Sequence, residues 1–252
     1  MYIKTELYKT FHSKQAIFIF IASFLIVLVI GLTYKLKDAS GISAMDLAMI
    51  SLGNMARSLI YNLFIIMITS LTFAGEFQGN TIKYIFIRPI DRTVLFLSKL
   101  VTVWILAAVL LIFICTVSLS LGTIMWGFSP LHGPDGNVLT QGGLRIFLMY
   151  LFTWFNVQFF IYFTTTVALF QKIKDQTATI VTTLAIYLLF AISTEFVPLV
   201  EKITPLRVYF IHHYLWEKTI NYHQLSIGSL VVFGYCIIFF TCSLIKFNRE
   251  EV

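Results

Sequence analysis

The sequence predicts an all-α membrane protein: six transmembrane helices, an N-terminal interfacial amphipathic helix, a short cytoplasmic helix between spans two and three, and a re-entrant or interfacial helical segment between spans five and six. Three observations carry this expectation. Hydrophobic residues make up 58% of the chain and charged residues 12%, with a mean hydropathy of +0.87, and a water-soluble monomer has no way to hide so much apolar surface. The apolar residues gather into six runs over 252 residues, each long enough for the roughly 20 residues that cross about 30 Å of hydrocarbon. Of the 18 Lys and Arg residues, eleven fall on the side that holds both termini and seven on the other, which by the positive-inside rule puts both ends in the cytoplasm.

Taken in order, Ile3, Leu7 and Phe11 recur every four residues while Lys4, Lys9 and Lys14 point elsewhere. That is the pattern of an amphipathic helix lying flat on the cytoplasmic leaflet, with a frayed basic tail as its rival. The first apolar run, Ala16 to Tyr34, is of span length and lacks a small-residue cleavage site, so it reads as a retained helix rather than a signal peptide. The second is Met55 to Ala74. The third, Val94 to Met125, is too long for one simple crossing; its membrane portion is expected to begin near Leu100, with Lys99 snorkelling to the cytoplasmic interface. Ile146 to Phe170, Ala178 to Pro198 and Ser226 to Ile245 complete the set. Together they make one transmembrane domain over residues 1–252.

The connection Leu199 to Leu225 is unusually apolar for an outside loop: Val208, Tyr209, Phe210, Ile211, Tyr214, Leu215 and Trp216 follow Pro205. It is too greasy for water and too short to cross twice, which suggests a segment that dips back into the membrane. Arg57 and Arg145 open spans from outside and are expected to snorkel to lipid phosphates.

Several chemistries are disfavoured. The net charge of +6 is scattered between apolar runs, so nucleic acid is not an expected partner and membrane lipid is. Cys115, Cys236 and Cys242 all lie within apolar runs and behave as small hydrophobes. His212 and His213 are adjacent and diverge on a helix, while His12, His132 and His223 lie elsewhere, so no metal is expected. A membrane-embedded enzyme would need convergent acid, nucleophile or metal-binding groups, and a secondary carrier would need ionisable groups at mid-membrane. Glu195 is the one acidic candidate, near the outer end of span five, where an interfacial position competes with a pathway role. Asn156, Gln158 and Thr164 to Thr166 in span four, with Thr179, Thr182 and Thr183 in span five, could line a polar seam, although such residues more often hydrogen-bond between helices.

The second connection is the most informative segment. It runs Gly75-Glu-Phe-Gln-Gly-Asn-Thr-Ile-Lys-Tyr-Ile-Phe-Ile-Arg-Pro-Ile-Asp-Arg92 and predicts a short helix after Gly79 and Asn80, a break at Pro89, and a new helix capped by Asp91. Lys83, Arg88, Arg92 and Lys99 give it a charged side, while Ile82, Ile85 and Phe86 give it an apolar one, as a docking surface for a second protein would require, with a purely structural interfacial helix as the rival reading.

Glu76, Thr81, Lys83, Pro89, Arg92 and Lys99 match the spacing of an E-x-x-x-G-T-x-K, P-x-x-R and lysine signature, and here the chain resembles the ABC type-2 exporter permeases. It departs at Asn80, where the family usually has glycine; Gly79 lies one position earlier. The resemblance extends to the N-terminal helix, the six spans and the apolar outer segment containing Thr204-Pro-Leu-Arg207. It implies a permease subunit of an ATP-driven exporter in the plasma membrane. It also implies pairing with a second permease copy or paralogue, and two cytoplasmic ABC ATPase subunits gripped by the N-terminal helix and by a coupling helix between spans two and three.

On that reading Glu76, Gly79, Thr81, Lys83, Arg88, Pro89, Arg92 and Lys99 couple the chain to the ATPase, while Asn156, Thr182 and Glu195 are candidates for the substrate pathway or outer gate. The chain contains no G-x-x-x-x-G-K-[ST] run to cradle phosphate, so it carries no cofactor itself, and ATP and Mg belong on the partner. The expected cargo is hydrophobic or amphipathic, such as a peptide or antibiotic, with lipid, polysaccharide-linked lipid and sodium as alternatives. The Ile-, Phe- and Lys-rich composition is compatible with a low-GC bacterium.

Overall fold

The computed structural model describes residues 2–36, 42–78, 91–132, 137–139, 141–171, 175–196, 215–216 and 222–249. Among them lie eight longer helices: α1 (Tyr2–Phe11), α2 (Lys14–Leu36), α3 (Ala44–Arg57), α4 (Leu59–Gln78), α5 (Arg92–Trp126), α6 (Gly142–Phe170), α7 (Gln176–Phe196) and α8 (Tyr222–Asn248). No strand occurs among the described residues, only an isolated bridge between His132 and Val138.

Four helices, Lys14–Leu36, Arg92–Trp126, Gly142–Phe170 and Leu225–Asn248, are long and apolar enough to cross a membrane. A fifth candidate is the pair Ala44–Met55 and Leu59–Gly75, bent by 61°. In α7 the stretch Gln176–Leu189 is apolar but shorter. The chain is thus a multi-pass helical membrane protein, and the expected outer segment 199–225 is described only at residues 215–216 and 222–225.

The expected second span begins differently. The sequence places its start at Met55, whereas Met55 belongs to α3 and the chain breaks at Ser58, in extended conformation at φ −78° and ψ 138°. Helix α3 is a separate element because residues 43–46 encode its start: the Ser43 hydroxyl accepts from the Asp46 amide at 3.1 Å and the Asp46 carboxylate accepts from the Ser43 amide at 2.6 Å, a reciprocal capping box. Asp46 also accepts from the His132 amide at 2.8 Å and meets its Nδ1 at 3.1 Å, tying the loop after α5 to the start of α3.

Ala44, Leu47, Ala48, Met49, Leu52 and Met55 are all buried, and α3 packs against α5 and α6. Close approach rather than water exclusion drives helix association in lipid, so small residues belong at the crossing. At Gly122 of α5 a Cβ would lie 2.6 Å from the Ala44 Cα. Gly122→Ala is therefore expected to cost about 1–3 kcal/mol by forcing α3 and α5 apart. Gly234→Ala in α8, with nothing within 4 Å of the added carbon, should leave stability unchanged or raise it. Equal thermal unfolding midpoints for the two variants would contradict the close crossing.

Helices α6 and α8 run side by side in the same direction. Phe159 of α6 packs on Tyr235 and Phe239 with ring centroids 6.4 Å and 5.9 Å apart, and the Thr166 and Ser243 hydroxyls are bonded at 2.8 Å. Phe96 of α5 joins α8 through Phe240 and Phe247. Helix α7 returns antiparallel along α6 after a turn pinned by Gln171, whose amide donates to the Asp175 carbonyl at 3.3 Å and also to the Thr179 hydroxyl.

Candidate functional site

The segment that the sequence singles out joins α4 to α5, and its two flanks are structured. Gly79, Thr81, Lys83, Arg88 and Pro89 lie outside the described residues. Glu76 occupies the last turns of α4, one turn beyond Thr72. Asp91 does stand at the N-cap of α5, in extended conformation, but its side chain makes no capping bond; its backbone carbonyl accepts from the Leu95 amide at 3.1 Å.

Lys99 corrects the sequence reading most sharply. It does not snorkel. Helix α5 runs unbroken from Arg92 for 35 residues, about 52 Å at 1.5 Å per residue, so Lys99 sits in its third turn with 1% of its surface exposed. Its Nζ donates to the Thr72 carbonyl of α4 at 3.2 Å and lies 3.8 Å from the Glu6 carboxylate of α1. A buried ammonium needs both a counter-ion and hydrogen-bond acceptors, and here two other helices contribute to them.

Arg92, one residue into the same helix, donates from Nη1 to the Asn248 carbonyl at the end of α8, at 3.1 Å. A cation fits there because the last carbonyls of a helix have no partner within it and carry the negative end of its dipole. The two basic residues of the signature that fall among the described residues therefore fasten the start of α5 to α1, α4 and α8. A helix does form where the sequence places one before the first span, α1, ten residues long. Its inner side, with Thr10 buried and Glu6 partly so, lies on α5, while Tyr8 and Phe11 stay exposed.

The pathway candidates do not gather in one place. Asn156 is buried within α6, about 21 Å along the helix from its end, whereas Thr182 is about 9 Å into α7 from the same turn. Thr182 is exposed and donates to the Ala178 carbonyl at 2.7 Å and to Gln171 Oε1 at 3.3 Å. Glu195 lies in the last turn of α7, and its side chain is outside what the structure describes. Most threonines of the expected seam bond back to their own helix: Thr165 to the Ile161 carbonyl, Thr179 to Asp175 and Thr183 to Thr179. Thr166 does cross between helices, to the Phe239 carbonyl at 3.2 Å and to Ser243.

Arg145 is a second correction. It is 2% exposed and its Nη1 donates to the Leu215 carbonyl, so it holds a protein segment rather than a lipid phosphate. Glu6 and Asp46 were not singled out by sequence reasoning, although both left a trace. Glu6 is the sole acidic residue among the first fifteen, and Ser43-x-x-Asp46 is a capping-box spacing. Among the described residues no group of three or more His, Cys, Asp and Glu side chains could hold a metal.

Comparison with known proteins adds one positive finding. The family described as ABC-2 family transporter protein matches over residues 2–191, which includes the α1, α4 and α5 contributions to the Lys99 site. No curated protein matches the chain.

Proposed function

The chain belongs to the ABC-2 transporter family, and from that premise we propose that it is the permease subunit of an ATP-driven exporter whose hydrolysis takes place on separate cytoplasmic ATPase subunits. The observation that carries the coupling role is Lys99. Segment 79–90 hangs between the end of α4 and the start of α5, and one buried ammonium clamps both flanks together with α1. A force on a segment so anchored moves three helices rather than bending one loop, which is what transmission from a moving partner needs.

In this reading residues 79–90, with Glu76 on their α4 flank, form the cytoplasmic coupling helix. Both termini are cytoplasmic, six crossings are reached by counting the bent α3–α4 pair and α7, and a second permease copy or paralogue completes the pathway. The cargo is hydrophobic or amphipathic, in keeping with a helix set whose described polar residues mostly satisfy one another within the fold, and Asn156, Thr182 and Glu195 remain its candidate contacts. ATP and Mg are bound by the partner; the sequence holds no phosphate-cradling P-loop.

The test is reconstitution with the ATPase partner in vesicles. Reversing the charge of Lys83 and Arg88 together, or deleting residues 79–90, should reduce transport at least tenfold while the partner continues to hydrolyse ATP. Transport undiminished by both changes would reject the docking role.

A further inference from the structure

We propose that the groove between α6 and α8 binds a neutral amphiphile from the bilayer: an apolar chain or ring bearing one uncharged hydroxyl or amide group. A cavity of about 170 Å³ opens there, lined by Phe155, Gln158 and Tyr162 of α6 and by Phe233, Cys236 and Phe240 of α8. Both sets follow helical spacing of three to four residues, so each presents one face to the other. The Tyr162 and Phe240 rings meet edge to face, 5.8 Å apart, at the end nearer the helix C-termini. Ile237 at the rim is 48% exposed and Phe233 53%, so the groove faces sideways toward lipid.

Gln158 makes this more than an apolar cleft. It is 8% exposed, yet among the described residues neither its Oε1 nor its Nε2 has a hydrogen-bond partner. It lies 16 residues into a 29-residue span, near the middle of the helix and so near the middle of the bilayer. A carboxamide offers two donors and two acceptor lone pairs, and leaving all of them empty in hydrocarbon is among the costlier arrangements a span can adopt. Two nearby hydroxyls avoid that cost by bonding to their own helix, Thr153 to the Met149 carbonyl and Thr165 to Ile161; the buried Thr164 hydroxyl is unpartnered among the described residues, but it does not line the cavity. The glutamine side chain instead lines the cavity.

The chemistry of the occupant follows from the lining. Gln158 asks for one group that both donates and accepts, as a hydroxyl or amide does. The lining includes no Lys, Arg, His, Asp or Glu, which argues against a charged head. The volume is comparable to that of an engineered apolar cavity of about 150 Å³ that takes benzene, so it suits one ring or a short stretch of acyl chain beside the polar group rather than a folded peptide. Neither Lys99 nor a pathway candidate lines the groove, although Asn156 stands two residues from Gln158 on α6, and the inference concerns binding alone, whether or not the chain exports an amphiphile.

The experiment places the purified full chain in phosphatidylcholine nanodiscs with a monoacylglycerol that carries a photoreactive diazirine on its acyl chain. Its dimethyl-ether analogue, which can accept but not donate, serves as the comparison, and labelled residues are mapped by mass spectrometry. Labelling should concentrate on residues 155–162 and 233–240, with the diol favoured roughly three- to tenfold over the ether, the range of one hydrogen bond. In Gln158→Leu that preference should fall to unity, and in Cys236→Trp, which fills the cavity, labelling there should disappear. Because the diol-to-ether ratio is read on the wild-type chain, the test does not depend on either variant folding. A ratio of one, uniform labelling of all lipid-facing residues, or a disulfide between the Cys236 residues of two copies without probe, showing a second chain seated in the groove, would each overturn the proposal.

Discussion

Lys99→Met is expected to destabilise the protein by about 3 kcal/mol, measured as a lowered midpoint of thermal unfolding in detergent. The side chain has two described partners on two other helices, Thr72 of α4 and Glu6 of α1. Methionine replaces most of the aliphatic volume, so little of the loss is a cavity. The loss comes from the groups left behind: removing one member of a buried pair strands the other, and such changes cost about 3–5 kcal/mol when the remaining charge is fully buried. Glu6 keeps 16% of its side chain exposed, which places the effect toward the lower end of that range. Glu6→Gln should cost a comparable amount, about 3 kcal/mol, because it takes the carboxylate from an ammonium that is 1% exposed, with the retained Thr72 carbonyl as a partial offset. Both variants are expected to lose transport as well, since a loosened α1 and α4 no longer follow segment 79–90. If Lys99→Met unfolds at the wild-type temperature, Lys99 is not the clamp described here, and the coupling role inferred from it loses its support.

Much of the architecture is legible in hydropathy because a bilayer imposes one requirement, a long apolar helix, on each crossing. Helices α2, α5, α6 and α8 follow from run length alone. Helix α3 does not, since Asp46, Asn54 and Arg57 make it too polar and its 14 residues too few for a span; it is buried by other helices instead of by lipid, a tertiary fact that composition does not encode. The signature residues were found by their spacing, but their role was only half visible. A lysine in an apolar run suggests snorkelling because its stem is long enough, and nothing local reveals that Glu6, 93 residues earlier, will be its counter-ion. Gln158 illustrates the same limit from the other side: the sequence groups it with polar residues that bond between helices, and only the packing shows that it does not.

Arg145→Met should cost roughly 2–4 kcal/mol and should act at a distance in sequence, by releasing residues 215–216. The local setting gives no reason for an arginine here. It stands in the first turn of α6, where a cation opposes the helix dipole, and the N-cap Gln141 has a positive φ of 60° and makes no side-chain capping bond. Taken by itself, then, removing the charge should help the helix by a few tenths of a kcal/mol. Tertiary structure reverses that sign. The guanidinium is 2% exposed and donates to the carbonyl of Leu215, itself fully buried. Methionine leaves that carbonyl without this donor in an apolar site, a desolvation penalty of about 1–3 kcal/mol, and the lost charge-assisted bond adds to it. Arg145→Lys should fall between the two, because a single ammonium reaches one acceptor but lacks the fork of the guanidinium. Hydrogen exchange separates this account from general destabilisation: residues 215–216 should gain deuterium in the methionine variant well before the middle of α6 does. Exchange that rises evenly over the whole chain, or not at all, would mean that Arg145 does not hold this segment.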